Sequence, residues 1–183
     1  MGGNTYPGKD GEPIISFPNA TYLFHKLDWD YFTDLPNQPD NRKFIAEKCL
    51  LPIADKGNME LVTTELDVTD ELKLLHTPGH TVGSVSAMIH SGGEAAIFVG
   101  DIAHLCMQLT EYDWSPNYEM DREASARSRK RLVEEAVGRN ALVSGPHLDE
   151  GPIFGTMELI NGRRVWTGFD TVAQRDTTAA AAV

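Results

Sequence analysis

Thr77-Pro78-Gly79-His80-Thr81-Val82-Gly83-Ser84 is the stretch on which the reading of this chain turns. Apolar, strand-like runs lie on both sides of it, at residues 72–76 and 85–90. Pro78 and Gly79 interrupt regular backbone, so His80 stands at a bend after a strand. A side chain in that place projects from a rigid edge into a cleft, where function tends to gather. Two later stretches repeat the pattern. Ile97-Phe98-Val99-Gly100-Asp101 ends an apolar run on a carboxylate, and Ala141-Leu142-Val143-Ser144-Gly145-Pro146-His147 ends one on a second imidazole. An unpaired carboxylate at the end of a buried strand needs a cation or several N–H donors. Two imidazoles and one carboxylate suit Zn, Mn or Fe better than Mg alone. Taken singly, each of these residues also reads as a hydrogen-bonded structural side chain or a turn cap. The argument for a shared cation is that three strand ends each deliver a metal-type ligand.

The rest of the chain alternates strands and helices. Residues 1–18, rich in Gly, Pro and Asn, read as loop. Residues 19–25 have strand character, and 28–32 read as a short helix capped by Asp28. Asp40 or Asn41 starts a longer helix through Phe44, Ile45, Cys49 and Leu50, which Pro52 ends or kinks. Strands are expected at 59–63, 72–76, 85–90 and 95–99, the last two as a hairpin about Ser91-Gly92-Gly93. The spacing of Ala124, Ala126, Leu132, Val133, Ala136 and Val137 predicts a helix over 121–140, with Gly138 near its C-terminus. A short strand follows at 141–143. Asn161-Gly162 joins a hairpin of 157–160 and 164–166. Mixed β-β and β-α connections point to a layered α/β or α+β architecture. Residues 176–183, ending in four alanines and Val183, read as a disordered tail.

Composition narrows the function. The 183 residues are 41% hydrophobic and 23% charged, enough apolar content for a core. A net charge of −11 makes the chain a poor candidate for binding nucleic acid, because phosphate neutralisation needs an excess of positive charge. No apolar run is long enough for a membrane span. Cys49 and Cys106, without metal-type spacing, point to a reducing, cytoplasmic setting. His25, His76 and His90 lie in or at the edge of strands and read as structural.

Thr77-Pro-Gly-His80-Thr-Val-Gly-Ser84, Phe98-Val-Gly-Asp101 and Ser144-Gly-Pro-His147 together resemble the ligand loops of the metallo-β-lactamase-fold hydrolases. Asn19-Ala-Thr-Tyr, Asp28-Trp29 and Asp113-Trp114-Ser115-Pro116 resemble the lactonase-like and organophosphate-hydrolase-like branch. The resemblance implies an αββα sandwich, with residues 1–175 as a partial domain. It implies zinc, two ions in complete relatives. His80 would ligate the first metal, Asp101 would bridge both and His147 would ligate the second. The implied chemistry is hydrolysis of a small-molecule ester, lactone or phosphoester by metal-bound hydroxide. Some lactonase relatives carry a substrate-touching Tyr three residues after the bridging Asp. His104 holds that position here, so it is expected either to polarise substrate or to support a ligand. Trp29, Tyr31 and Phe32 read either as core or as pocket lining.

The family's His-x-His-x-Asp-His is absent, and no His-x-His occurs in the sequence. Met1-Gly2-Gly3-Asn4 resembles the stretch that follows that motif in relatives. The expectation is a C-terminal portion of the fold, with the N-terminal strands and four ligands upstream. Each metal would keep two protein ligands, where three or four are usual. Affinity would then fall well below the roughly 10–16 kcal/mol of complete structural zinc sites. The chain alone is expected to be weakly active or inactive, and to form homo-oligomers or pair with the missing segment. The alternative is a non-catalytic binding or assembly module derived from the fold.

Overall fold

Thr5–Pro7 (β1) and Pro13–Ile15 (β2) pair antiparallel, inside the stretch that reads as loop from sequence. The turn between them explains the difference. Gly8 N–H reaches Glu12 O at 2.8 Å, Asp10 Oδ1 accepts from Glu12 N, and Gly11 takes φ +83°. Proline is acceptable at the ends of such short edge strands. The computed structural model describes residues 3–148 and 153–169. Its backbone forms two units, Met1–Thr63 and Thr64–Val183.

In the first unit, Tyr22–His25 (β3) runs into Lys26–Thr33 (α1). The cap is His25, whose Nδ1 accepts from Leu27 N at 3.3 Å, and not Asp28. Asp28 instead sits in the first turn, where its charge favours the helix dipole. No residue of α1 is buried, so Trp29, Tyr31 and Phe32 are not a closed core. Their rings pack locally, Phe24 on Trp29 and Tyr31 on Phe32, with the Arg42 guanidinium over Tyr31 and Phe32. Asp40–Ile45 (α2) continues through a π turn at Ala46–Leu50 into Leu51–Asp55 (α3). Pro52 therefore does not end the helix. The wider turn resets the hydrogen bonding, and Pro52 falls in the first turn of α3, where no N–H is required. Met59–Val62 (β4) pairs parallel with β3, and Ala46, Leu50 and Ile53 are buried.

The second unit is built on one seven-stranded sheet. Its strands are Leu66–Asp67 (β5), Leu72–His76 (β6), Val85–Ser91 (β7), Glu94–Phe98 (β8), Leu142–Ser144 (β9), Phe154–Ile160 (β10) and Arg163–Phe169 (β11). Their order is β11-β10-β9-β8-β7-β6-β5. All neighbours are antiparallel except β8 and β9, which are parallel and joined by a crossover. That crossover carries Met107–Thr110 (α4) and Arg122–Arg139 (α5). Both expected hairpins form. Gly92-Gly93 and Asn161-Gly162 all take positive φ, as a two-residue loop between twisted strands requires.

Leu75, Met88, Ile97, Val143 and Met157 form the inner face of the sheet and pack with Leu132, Val133 and Ala136 of α5. Asp121 caps α5 by accepting Ala124 N–H at 2.9 Å. Asn140, at φ +49°, is the left-handed residue that closes it, so the helix runs past Gly138. The opposite face of the sheet leaves Val85, Ile89 and Phe98 exposed. Among the described residues no helix is long and apolar enough to cross a membrane. The tail expected at 176–183, and residues 170–175 before it, lie outside the described residues.

Candidate metal centre

Three loops at one end of this sheet bring the polar residues together. The first, after β6, carries His80. Gly79 takes φ +144°, and a Cβ there would overlap the backbone and Oγ of Ser125 on α5. Only glycine lets the loop lie this close to the helix. Three successive carbonyls are then held: Pro78 O by Ser128 Oγ at 2.7 Å, Gly79 O by Asp121 N at 3.0 Å, and His80 O by Met120 N at 3.4 Å. The second loop, after β8, turns at Gly100 (φ +64°) into the short helix Gly100–Ile102 that bears Asp101. The third follows β9 and carries His147.

Asp101 stands between the two expected histidines. Its Oδ2 lies 3.9 Å from His80 Nε2 and its Oδ1 lies 3.1 Å from His147 Nε2. Each carboxylate oxygen thus faces a different imidazole. His104 is in the same cluster. Its ring centroid is 5.1 Å from that of His80 and 4.8 Å from that of His147, on which it stacks at 13°. All four residues singled out from sequence therefore meet in one place. One premise changes, however. The Asp101 side chain is 49% exposed, so burial does not force it to find a cation. Its two oxygens face two imidazole nitrogens, an arrangement that imidazole N–H groups or a cation can satisfy. His76 and His90 stay out of the cluster, with His76 Nε2 3.0 Å from Val82 O.

The cluster has a buried floor that the sequence reading passed over. Arg129, in the middle of α5, is fully buried, and so is its partner Glu119. Arg129 donates Nε–H to Ile102 O at 2.7 Å and the N–H groups of one terminal nitrogen to Tyr112 O, Trp114 O and Ser115 Oγ at 2.8–3.0 Å. Its other terminal nitrogen donates to Glu119 Oε1 at 2.8 Å, and Glu119 Oε2 accepts from Ser125 Oγ. One guanidinium therefore ties the Asp101 loop to the Asp113-Trp114-Ser115-Pro116 loop and, through Glu119 and Ser125, to the floor beneath Gly79. Burial draws the Arg129 pKa down while Glu119 opposes it, and a guanidinium stays charged throughout. Gln108 adds a second tie. Its Oε1 accepts from His104 N and Leu105 N, and its Nε2 donates to Trp114 O.

The signal for Arg129 was available. It occupies the same stripe as Ala124, Ser125, Ser128, Leu132, Val133 and Ala136, all of which are buried. An arginine inside such a stripe needs a carboxylate or carbonyl partners. Tyr118, also passed over, lays its ring edge-on to His80 and His104 at 6.0 and 5.1 Å.

The donor chemistry fits a divalent cation in part. The Nδ1 atoms of His80 and His104 are buried with no hydrogen-bond partner among the described residues. Ligand atoms of His80, His104 and Glu119 lie within 4.8 Å of one another. Burial, then the neighbouring His80 and His147, hold the His104 pKa below its ordinary value, against an upward push from Asp101. His104 is thus neutral at neutral pH, the form that ligates.

Known structures share this architecture. The hydrolase AbOPH of the beta-lactamase superfamily superposes with a TM-score of 0.72 at 21% identity, over 85% of this chain and 57% of that one. The fold is that of the metallo-β-lactamase superfamily. AidC, a dizinc quorum-quenching lactonase, matches at TM-score 0.69 and 21% identity, over 87% of this chain and 58% of its own. A probable metal-dependent hydrolase from Staphylococcus aureus matches at 0.69 and 17%, over 86% and 55%. The chain therefore spans a little over half the length of these metallo-β-lactamase-fold structures. No known family profile and no curated protein matches the sequence.

Proposed function

We propose that the cluster belongs to a metal-dependent hydrolase of small-molecule esters, lactones or phosphoesters. His80 would hold one zinc, His147 a second, and Asp101 would bridge them. The observation that carries this reading is the Asp101 carboxylate, with one oxygen toward His80 Nε2 and the other toward His147 Nε2. Zinc, when bound, supplies Lewis acidity at the scissile bond. The residues of the chain do the rest. Asp101 sets the spacing of the two imidazoles. The Arg129–Glu119 floor holds two of the three loops in register, so the donors need little rearrangement.

The ligand set supports weak activity for the chain alone. His80 and Asp101 give one zinc two protein donors, and Asp101 and His147 give the other two, where catalytic sites usually have three. We place the protein in the cytoplasm, in keeping with the free Cys49 and Cys106. The test is turnover of an aryl ester, an N-acyl homoserine lactone and an aryl phosphodiester by the purified chain with added Zn2+. Slow turnover that needs millimolar metal and disappears in His80→Ala and Asp101→Asn is expected. Turnover unchanged by those substitutions or by a chelator would exclude the reading.

The outer face of the sheet favours a second reading, an assembly module. Val85, Ile89 and Phe98 present exposed apolar surface on adjacent strands, which suits pairing with another chain or a second copy. Ile89→Lys should then shift the protein to a smaller species in sedimentation; an unchanged profile counts against this reading.

A further inference from the structure

His80, Asp101 and His147 stand on three loops, and each loop leaves its strand through a residue bonded to a neighbouring strand. Thr77 comes three residues before His80, Val99 two before Asp101, and Ser144 three before His147. Thr77, Ser86 and Val99 are almost fully buried. Ser86 lies on β7, the strand between β6 and β8. Thr77 Oγ1 is 2.9 Å from Ser86 Oγ, and Ser86 Oγ is 2.8 Å from Val99 O. Val99 N–H in turn donates to Ser144 O at 2.9 Å. One line of hydrogen bonds therefore crosses from the end of β6 to the end of β9.

The direction of the line follows from the groups in it. A carbonyl only accepts, so the Ser86 hydroxyl gives its one proton to Val99 O. Its oxygen is then the acceptor for Thr77, whose contact with Ser84 O is longer, at 3.5 Å. Packing does not explain the serine. Ser86 shares its face of β7 with the core residue Met88 and pairs in register with Leu75, a position that by pattern takes an apolar side chain. Buried hydroxyls are costly there unless their hydrogen bonds are made. Close packing completes the tie. A Cβ on Gly100 would lie 3.0 Å from Val85 O, and one on Gly145 would lie 2.7 Å from Val99 Cγ2.

We propose that Thr77 and Ser86 are positioning residues of the metal centre, their hydroxyls fixing the Asp101 loop against the His80 and His147 loops. Arg129 holds the Asp101 loop from the helix side, through Ile102 O, and the two hydroxyls hold it from the strand side. The proposal rests on the metal reading above for what the three side chains hold. The spacing between them belongs to the chain itself.

The test compares the full chain with Ser86→Ala, which removes both hydroxyl bonds, and with the pair Thr77→Val and Thr77→Ser. Val keeps the branched shape without the hydroxyl, and Ser keeps the hydroxyl without the methyl. Zn2+ affinity is read by chelator competition, and the metal-free chains by 15N–1H NMR. Ser86→Ala and Thr77→Val are expected to bind Zn2+ about 10-fold more weakly, with Thr77→Ser close to the parent. In the metal-free spectra Thr77→Val should displace the amide signals of Gly100 and Asp101, and Thr77→Ser should leave them in place. The Thr77 pair decides the matter if Ser86→Ala does not fold. Parental affinity in Thr77→Val, or an equal loss in Thr77→Ser, would overturn the proposal and leave the metal reading standing. A parent chain that binds no Zn2+ would overturn the metal reading. The NMR comparison alone would then decide the proposal, and unmoved Gly100 and Asp101 signals in Thr77→Val would end it.

Discussion

The loops that carry His80 and His147 reach the same carboxylate but are built differently. The His80 loop is fixed from below. Its carbonyls at 78, 79 and 80 are each bonded from α5 or the turn before it, and Gly79 lies against Ser125. Beneath it the Arg129–Glu119 pair is fully buried. The His147 loop is held at its ends. Ser144 Oγ donates to Ile153 O, and Leu148 is buried behind it, but the His147 side chain itself is 49% exposed. The His80 side chain is 23% exposed. Among the described residues, one donor side chain is thus largely enclosed and the other is half-exposed. Stability and metal binding should separate along that line.

The largest effect is expected at the floor. Arg129→Ala removes five hydrogen bonds and leaves Glu119 charged and buried without its partner. Breaking such a pair costs about 3–5 kcal/mol. Urea denaturation should show this loss, and Arg129→Lys should recover little of it, because an ammonium cannot span Ile102 O, Tyr112 O and Glu119 together. A loss under 1 kcal/mol would mean that the floor is not what fixes the loops.

A smaller effect is expected at Gly79. Gly79→Ala forces a Cβ into Ser125 at a backbone angle that disfavours side chains, and overpacking of this kind costs about 1–3 kcal/mol. Metal affinity should fall with it, since the loop that moves carries His80. Thermal unfolding and a chelator competition on the same sample check both halves. Unchanged affinity would show that His80 is not held by this contact.

The smallest change in stability is expected at His147. His147→Ala alters a half-exposed side chain and should leave unfolding within about 0.5 kcal/mol of the parent. The same substitution should abolish binding of the second zinc equivalent in a titration followed by calorimetry. A clear loss of stability would make the two loops alike after all.

Much of this was legible in the sequence, for physical reasons that differ by element. The strands and hairpins at 72–98 and 154–169 were readable because period-two burial and Gly-Gly or Asn-Gly turns are local signals. The gathering of His80, Asp101, His104 and His147 was readable because each follows an apolar strand of the same sheet. Other features depended on tertiary context. The β1–β2 hairpin rests on a turn about Asp10-Gly11, and β5 has only two residues, too short to show a pattern. The π turn before Pro52 gave no compositional sign. Glu119 and Arg129 were missed because a helix was read only for its apolar stripe, when the arginine within that stripe was the informative residue.

The central claim is that Asp101 would bridge two cations, one held by His80 and one by His147. Anomalous scattering at the zinc edge from crystals soaked in Zn2+ tests it most directly. The account predicts a peak about 2.0–2.2 Å from His80 Nε2 or His147 Nε2 and from an Asp101 oxygen, absent in Asp101→Asn. Zinc peaks confined to other parts of the surface, with none between these three side chains, would contradict it.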